Sequence, residues 1–148
     1  MKQKLITCLL LLFAISLRAD SIQGDVKLKY STDSFEENGF KKEFGKVVKA
    51  TTNWHVGEFF GEETVFAGIT VKNTGTKPMF IRYYVAFFDK DKKLIGAVGQ
   101  GSFGDEGLKP GEETQLGSCL IQLPKDKYKD IVSYQAVIYE SDPAPKKN

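Results

Sequence analysis

Residues 64–89 read TVFAGITVKNTGTKPMFIRYYVAFFD, two apolar segments joined by a turn. The first segment alternates with the period of two that a β-strand imposes on its side chains, and its apolar positions are Val65, Ala67, Ile69 and Val71. Residues 73–78 interrupt the pattern with Asn, Gly and Pro, which favour a turn. The second segment has bulky residues on both faces, with one face formed by Ile81, Tyr83, Val85 and Phe87. We therefore expect a central strand there, covered at least in part on its second face.

The pattern continues on both sides of this pair. Further strands are predicted at residues 26–30, 46–56, 94–98, 114–123 and 131–139, with turn residues between them. A sustained helical period of 3.6 residues is absent from the sequence. About seven short strands at this spacing predict an all-β, antiparallel β-sandwich, a domain that covers roughly 100 residues.

The chain divides into four parts by composition. Residues 1–19 have the layout of a signal peptide, and residues 20–45 form a polar N-terminal arm or edge segment. Residues 46–140 are the predicted sandwich domain, and the polar residues 141–148 are a flexible tail. The total of 148 residues is enough for one domain of this kind.

The first segment, MKQKLITCLLLLFAISLRA, combines early lysines with an apolar run that is shorter than a membrane-spanning helix requires. We expect cleavage after Ala19; an uncleaved anchor is the alternative. Cleavage removes three positive charges, Lys2, Lys4 and Arg18, so the net charge changes from +2 to −1. A nearly neutral product has no electrostatic reason to bind nucleic acid or an anionic membrane. After cleavage of the apolar segment we expect no stable membrane insertion. The expected location is secreted or periplasmic.

Four features in order resemble the FxLYD-type domains, a bacterial secreted family with an immunoglobulin-like fold. They are GITVKNTGTKP, VAFFDKDKKLIG, LKPGEETQ and SYQAVIYE, which together span about half of the chain. The pattern that gives the family its name falls on residues 85–89 of this sequence, where only Asp89 matches it literally. The resemblance implies an immunoglobulin-like sandwich outside the cytoplasm and supplies no catalytic residue.

Candidates for catalysis are few. The single histidine, His55, is the one possible general base of ordinary pKa, and it stands in a predicted strand without a nucleophile signature. Cys119, the one thiol left after cleavage, lies in an apolar segment and is expected to be buried. Asp89 and Asp91 have the spacing of a calcium loop, but lysines follow them, so a solvated turn is expected. We predict no catalytic residue, no metal site and no cofactor.

Exposed aromatic residues are the remaining candidates for binding. Trp54, Phe59 and Phe60 lie close together in sequence, and the phenylalanines stand between glycines and acids in GEFFGEE. Such a pair can contact a partner or a sugar, or it can cap the open end of the sandwich; both interpretations stay open.

The leading hypothesis is an exported, non-catalytic module that acts in protein interaction or as an accessory domain, with a protein partner that the sequence does not identify. The first alternative is a carbohydrate- or peptide-binding module that uses Trp54, Phe59 and Phe60. The second is a hydrolase with an unrecognised site, which would require His55 to meet a carboxylate or serine in a cleft.

Overall fold

A computed structural model describes residues 18–31, 40–101 and 106–142. The side chains of Arg18 and residues 117–120 are not described. Residues 1–17 of the predicted signal peptide, residues 143–148 of the predicted tail and the Cys119 side chain therefore lie outside the described part.

The protein is an all-β sandwich, as the alternation predicted. The described residues form eight strands rather than about seven, and one turn of 3₁₀ helix at Lys127–Asp130. The strands are β1 (Arg18–Asp25), β2 (Glu43–Phe44), β3 (Val48–Phe59), β4 (Glu62–Asn73), β5 (Phe80–Phe88), β6 (Leu94–Gly101), β7 (Glu113–Gln122) and β8 (Ser133–Ser141).

The strands make two antiparallel sheets of four. One sheet has the order β1-β8-β5-β6 and the other the order β2-β3-β4-β7. The hairpins β3–β4 and β5–β6 lie within single sheets, whereas β4–β5, β6–β7 and β7–β8 cross between sheets. Connections that cross between two antiparallel sheets in this way are typical of β-sandwiches.

The N-terminal segment differs from the prediction. The strand lies at Arg18–Asp25, before the alternating residues 26–30. Those residues cross from one sheet edge to the other, since the Val26 N–H donates to the Val132 carbonyl and the Ser31 N–H to the Val56 carbonyl. Val26 and Leu28 are buried between the edges, so the alternation correctly marked the buried positions of a segment that is not a strand.

The core lies between the sheets and is centred on Trp54. Its ring packs edge-on against Phe87 and Tyr134, at centroid distances of 5.3 and 4.8 Å. The inward residues of β5, Ile81, Tyr83, Val85 and Phe87, are buried as predicted. The second face of β5 is covered in part, as expected: Phe80, Ala86 and Phe88 are half-buried, while Tyr84 is 44% exposed.

Candidate functional site

The β3–β4 hairpin ends in a two-residue turn. Phe59 pairs with Glu62, and the residues between them, Phe60 and Gly61, have φ of 53° and 81°. Positive φ at both positions defines the type I′ turn, whose twist suits a β-hairpin. Glycine and asparagine take this conformation readily, but a bulky side chain is crowded against its own backbone. The turn therefore holds a phenylalanine where its backbone conformation is unfavourable.

The Phe60 side chain extends into solvent. It is 89% exposed, and its ring contacts Phe59 at a centroid distance of 4.4 Å. Phe59 is half-buried, and neither ring belongs to the hydrophobic core. We call residues 59–61 the hairpin tip. It presents an aromatic surface that the described fold does not cover.

Trp54 is separated from this tip. It is fully buried, its Nε1–H donates to the Tyr83 hydroxyl at 2.6 Å, and its ring stacks on Phe40. The sequence grouped Trp54 with Phe59 and Phe60 because they are close along the chain. The structure does not bring the three together, since Trp54 faces inward from the middle of β3 while the phenylalanines lie at its exposed end.

A groove of about 560 Å³ opens beside the hairpin tip. Its wall includes Tyr30, which is 42% exposed and whose backbone bridges to Val56 of β3. The other lining residues are Glu58, Gly61, Glu62, Glu63, Gln122, Leu123, Pro124 and Lys125. Tyr30 and Glu58 were not identified from the sequence. The position of Tyr30 depends on a segment that crosses between the sheets, and the local sequence pattern does not show this crossing.

The groove is mainly acidic. Glu58 and Glu63 are directly opposite each other in the β3–β4 register, an arrangement that is unfavourable for like charges. The Glu63 carboxylate accepts the backbone N–H of Asp126, which ties the segment after β7 to this end of the hairpin. Three glutamates and Lys125 line the groove, so a positively charged group would be favoured there.

Asp126 holds the border of the groove in place. Its φ is 63°, and its carboxylate accepts a hydrogen bond from the Lys129 ammonium. That hydrogen bond and the charge of Lys129 hold the pKa of Asp126 below its usual range. Because the carboxylate is fully exposed, the pair orients this segment more than it stabilises the fold.

His55 does not face a cleft. It is buried on the outer side of β3, and its ring is stacked parallel on Phe66 at 4.9 Å. Neither ring nitrogen has a hydrogen-bond partner within the part of the chain that is described. Burial lowers the pKa of His55, which favours the neutral ring.

Asp89 acts within its own turn. Its Oδ1 accepts the backbone N–H groups of Asp91 and Lys93, both at 2.9 Å, and so closes the β5–β6 hairpin. Within residues 18–31, 40–101 and 106–142, no three His, Cys, Asp or Glu side chains are grouped so that they could hold a metal ion. The same residues contain no helix that is long and apolar enough to span a bilayer.

No family model matches the chain, and no curated protein matches it. Among solved structures, the chain is similar to one in the structure of infectious bursal disease virus Gx strain, at 13% identity and a TM-score of 0.39. The match covers 88% of this chain and 28% of the viral chain, so this chain spans under a third of the viral chain's length. A likeness at this TM-score does not bear on function.

Proposed function

We propose that this chain is an exported, non-catalytic module that binds a protein partner through the hairpin tip. The observation that carries the proposal is Phe60, an aromatic residue 89% exposed in a left-handed backbone conformation. That conformation costs roughly 1–2 kcal/mol for a residue with a Cβ. The described fold does not offset this free energy, because it leaves the Phe60 ring exposed. A partner that encloses the ring would recover it, and aromatic anchors of this kind supply much of the binding energy in interfaces.

The groove beside the tip suggests the chemistry of the partner. Glu58 and Glu62 line it together with Tyr30. A partner with an apolar pocket for Phe60, and a lysine or arginine next to that pocket, would satisfy both features. Charges at the edge of such an interface contribute more to the association rate and to specificity than to affinity.

The burial of His55 supports a non-catalytic role. A general base must come within hydrogen-bond distance of the proton it removes. Both nitrogens of His55 are buried, and its ring lies against Phe66. The hydrolase alternative therefore has no observation in its favour.

Export is supported by residues 1–19 and by the resemblance to secreted FxLYD-type domains. Mass spectrometry of the protein from its native source tests it. The expected N-terminus is near Asp20, and an intact Met1 in the mature pool would refute cleavage.

Site-specific photo-crosslinking tests the tip. A benzophenone side chain at position 60 is expected to crosslink one protein in the exported fraction. The matched control carries the same group at Lys92, an exposed turn residue with φ of 63° in the β5–β6 hairpin. The candidate is then purified and titrated with the unlabelled module by calorimetry.

Phe60→Asn is expected to weaken that binding by at least about tenfold, which corresponds to one anchor contact. Asparagine suits the turn, so the loss cannot come from unfolding. Equal affinity of Phe60→Asn and the unsubstituted chain would overturn the proposal, as would equal crosslinking from positions 60 and 92.

A further inference from the structure

The outer face of the β1-β8-β5-β6 sheet carries a second uncovered aromatic surface. The strand registers place its outward residues in rows across the sheet, and three neighbouring rows carry this surface. From β1 to β6 the rows are Gln23-Gln135-Ala86-Ala97 and then Ser21-Val137-Tyr84-Gly99, and the third row, from β8 to β6, is Tyr139-Arg82-Gly101. We call these rows the sheet platform.

Tyr84 stands at the centre of the sheet platform. It is 44% exposed, and its ring meets Tyr139 edge-to-face at a centroid distance of 6.0 Å. A Cβ placed on Gly99 would lie 2.4 Å from Cδ1 of the Tyr84 ring. The Tyr84 ring therefore lies over Gly99, in the space that a side chain would occupy at this position. An aromatic residue often covers a glycine of the neighbouring strand in this way. Gly99 and Tyr139 together fix the position of an exposed ring.

A trench lies against this ring. Its volume is about 410 Å³, and its lining includes the small residues Ala86 and Ala97 together with Gln135 and Val137. This volume falls within the range of small-ligand sites, ~300–1,000 Å³. The trench exists because small side chains in the first row stand beside the large Tyr84 ring in the second.

The polar groups around the trench are uncharged. Gln135 and its neighbour Gln23 are exposed, and each amide can both donate and accept hydrogen bonds. Within the three rows Arg82 is the only ionised residue, although 27% of the chain is charged. An anionic ligand or a nucleic acid would need more positive charge than this face supplies.

We infer that the sheet platform binds a neutral oligosaccharide. A pyranose has a face of C–H groups and an edge of hydroxyls. The C–H groups, which carry partial positive charge, suit the negative face of the Tyr84 ring. The hydroxyls suit the amide of Gln135, which lines the trench, and that of Gln23, which is paired with Gln135 in the next strand; each amide offers donors and acceptors. A protein partner fits less well, because the trench has small residues in place of an apolar ridge and the platform has little charge to orient it.

Calorimetric titration tests this site with cellohexaose, chitohexaose, maltohexaose and mannohexaose, each up to about 10 mM so that weak binding is detected. Oligogalacturonate of the same length is the anionic comparison. We expect saturable binding of at least one neutral hexamer. Tyr84→Ala should weaken it by at least about tenfold. Gly99→Ala keeps the aromatic residue but displaces its ring, and it should weaken the same binding.

Two control variants separate the site from general effects. Tyr30→Ala removes an exposed tyrosine at the hairpin end, and Phe60→Asn removes the aromatic of the hairpin tip; both should bind the hexamer unchanged. The inference is overturned if no neutral hexamer binds, if oligogalacturonate alone binds, or if Tyr84→Ala binds as the unsubstituted chain does. Because Phe60→Asn is expected to affect the protein partner alone, failure here leaves the hairpin-tip proposal standing.

Discussion

Glu140 is a buried carboxylate that joins the two sheets. It lies in β8, and its side chain crosses the interior to accept the backbone N–H groups of Lys46, Val47 and Val48 at 2.9–3.2 Å. These residues lead into β3 of the opposite sheet. The charge is compensated by three aligned backbone donors, so its removal leaves these donors without an acceptor.

Glu140→Ala is expected to lower the free energy of unfolding by about 3 kcal/mol, the cost of leaving buried donors unpaired. Urea unfolding at neutral pH measures it. The matched control is Glu113→Ala, whose carboxylate is exposed in a surface ion pair with Lys72 and should matter by less than about 0.5 kcal/mol. Equal effects of the two variants would show that the carboxylate does not join the sheets.

His55 predicts a dependence of stability on pH. Burial lowers its pKa below 6.5 in the folded state, whereas the unfolded chain has the ordinary pKa. Stability from the neutral ring is therefore fully present above pH 6.5, and it is lost as the pH falls through 6.5 toward the folded pKa. His55→Phe removes this titration and two unpaired buried nitrogens, so it should stabilise the fold by about 1 kcal/mol at pH 7.5.

The measurement compares urea midpoints of the two proteins at pH 7.5 and pH 5. The advantage of His55→Phe should be larger at pH 5, because only the unsubstituted chain takes up a proton on unfolding at this position. If the difference stays constant between these pH values, His55 does not titrate differently in the two states.

At the scale of single elements, the hairpin tip is a strained connection in a long hairpin. The β3–β4 register continues without a bulge from Val48↔Asn73 to Phe59↔Glu62, so the turn has no freedom to relax into another type. Phe60→Asn should raise the free energy of unfolding by about 1 kcal/mol, since asparagine tolerates the left-handed conformation. Thermal unfolding measures this gain. Gly61→Ala, at φ of 81°, is the opposing control and should be destabilising; a less stable Phe60→Asn would show that the turn is not strained.

The elements that sequence predicts well are those with one buried face. β5 buries alternate residues, and the alternating apolar residues of β4 are all buried, so both strands are visible in residues 64–89 alone. β1 escaped prediction because it is an edge strand whose sequence, RADSIQGD, contributes Ile22 to the core and is otherwise polar. Its position is determined by backbone pairing with β8, which lies more than 100 residues away in the sequence. The local periodicity of β1 does not reveal such a contact.

The candidate sites show the same limit. The glycine and acidic neighbours of Phe60 in the sequence favour its exposure, so this feature was partly predictable. The burial of Trp54 could not, because it depends on Phe40, Tyr83 and Tyr134 arriving from three other segments. The sheet platform likewise depends on the register that sets Tyr84 opposite Gly99, and a one-residue shift would have placed both elsewhere.

At the scale of the whole molecule, one core serves both sheets. Trp54 of one sheet donates a hydrogen bond to Tyr83 of the other, and among the described strands the chain passes between the sheets four times, from β1 to β2, β4 to β5, β6 to β7 and β7 to β8. Neither sheet can therefore keep its inner face buried after the other has separated. This arrangement favours a single cooperative unfolding transition.

The chain has one tryptophan, so its fluorescence reports on that shared core without interference. In urea, the transition followed by Trp54 emission should coincide with that followed by far-ultraviolet circular dichroism. Tyr83→Phe removes the acceptor of the Trp54 N–H and should lower the midpoint by an amount equivalent to about 1–2 kcal/mol, equally for both probes. Tyr84→Phe is the matched control, because its hydroxyl lies on the outer face and should leave the midpoint unchanged. Separate midpoints for the two probes would mean that the sheets unfold independently, and the tie between Trp54 and Tyr83 would then be local.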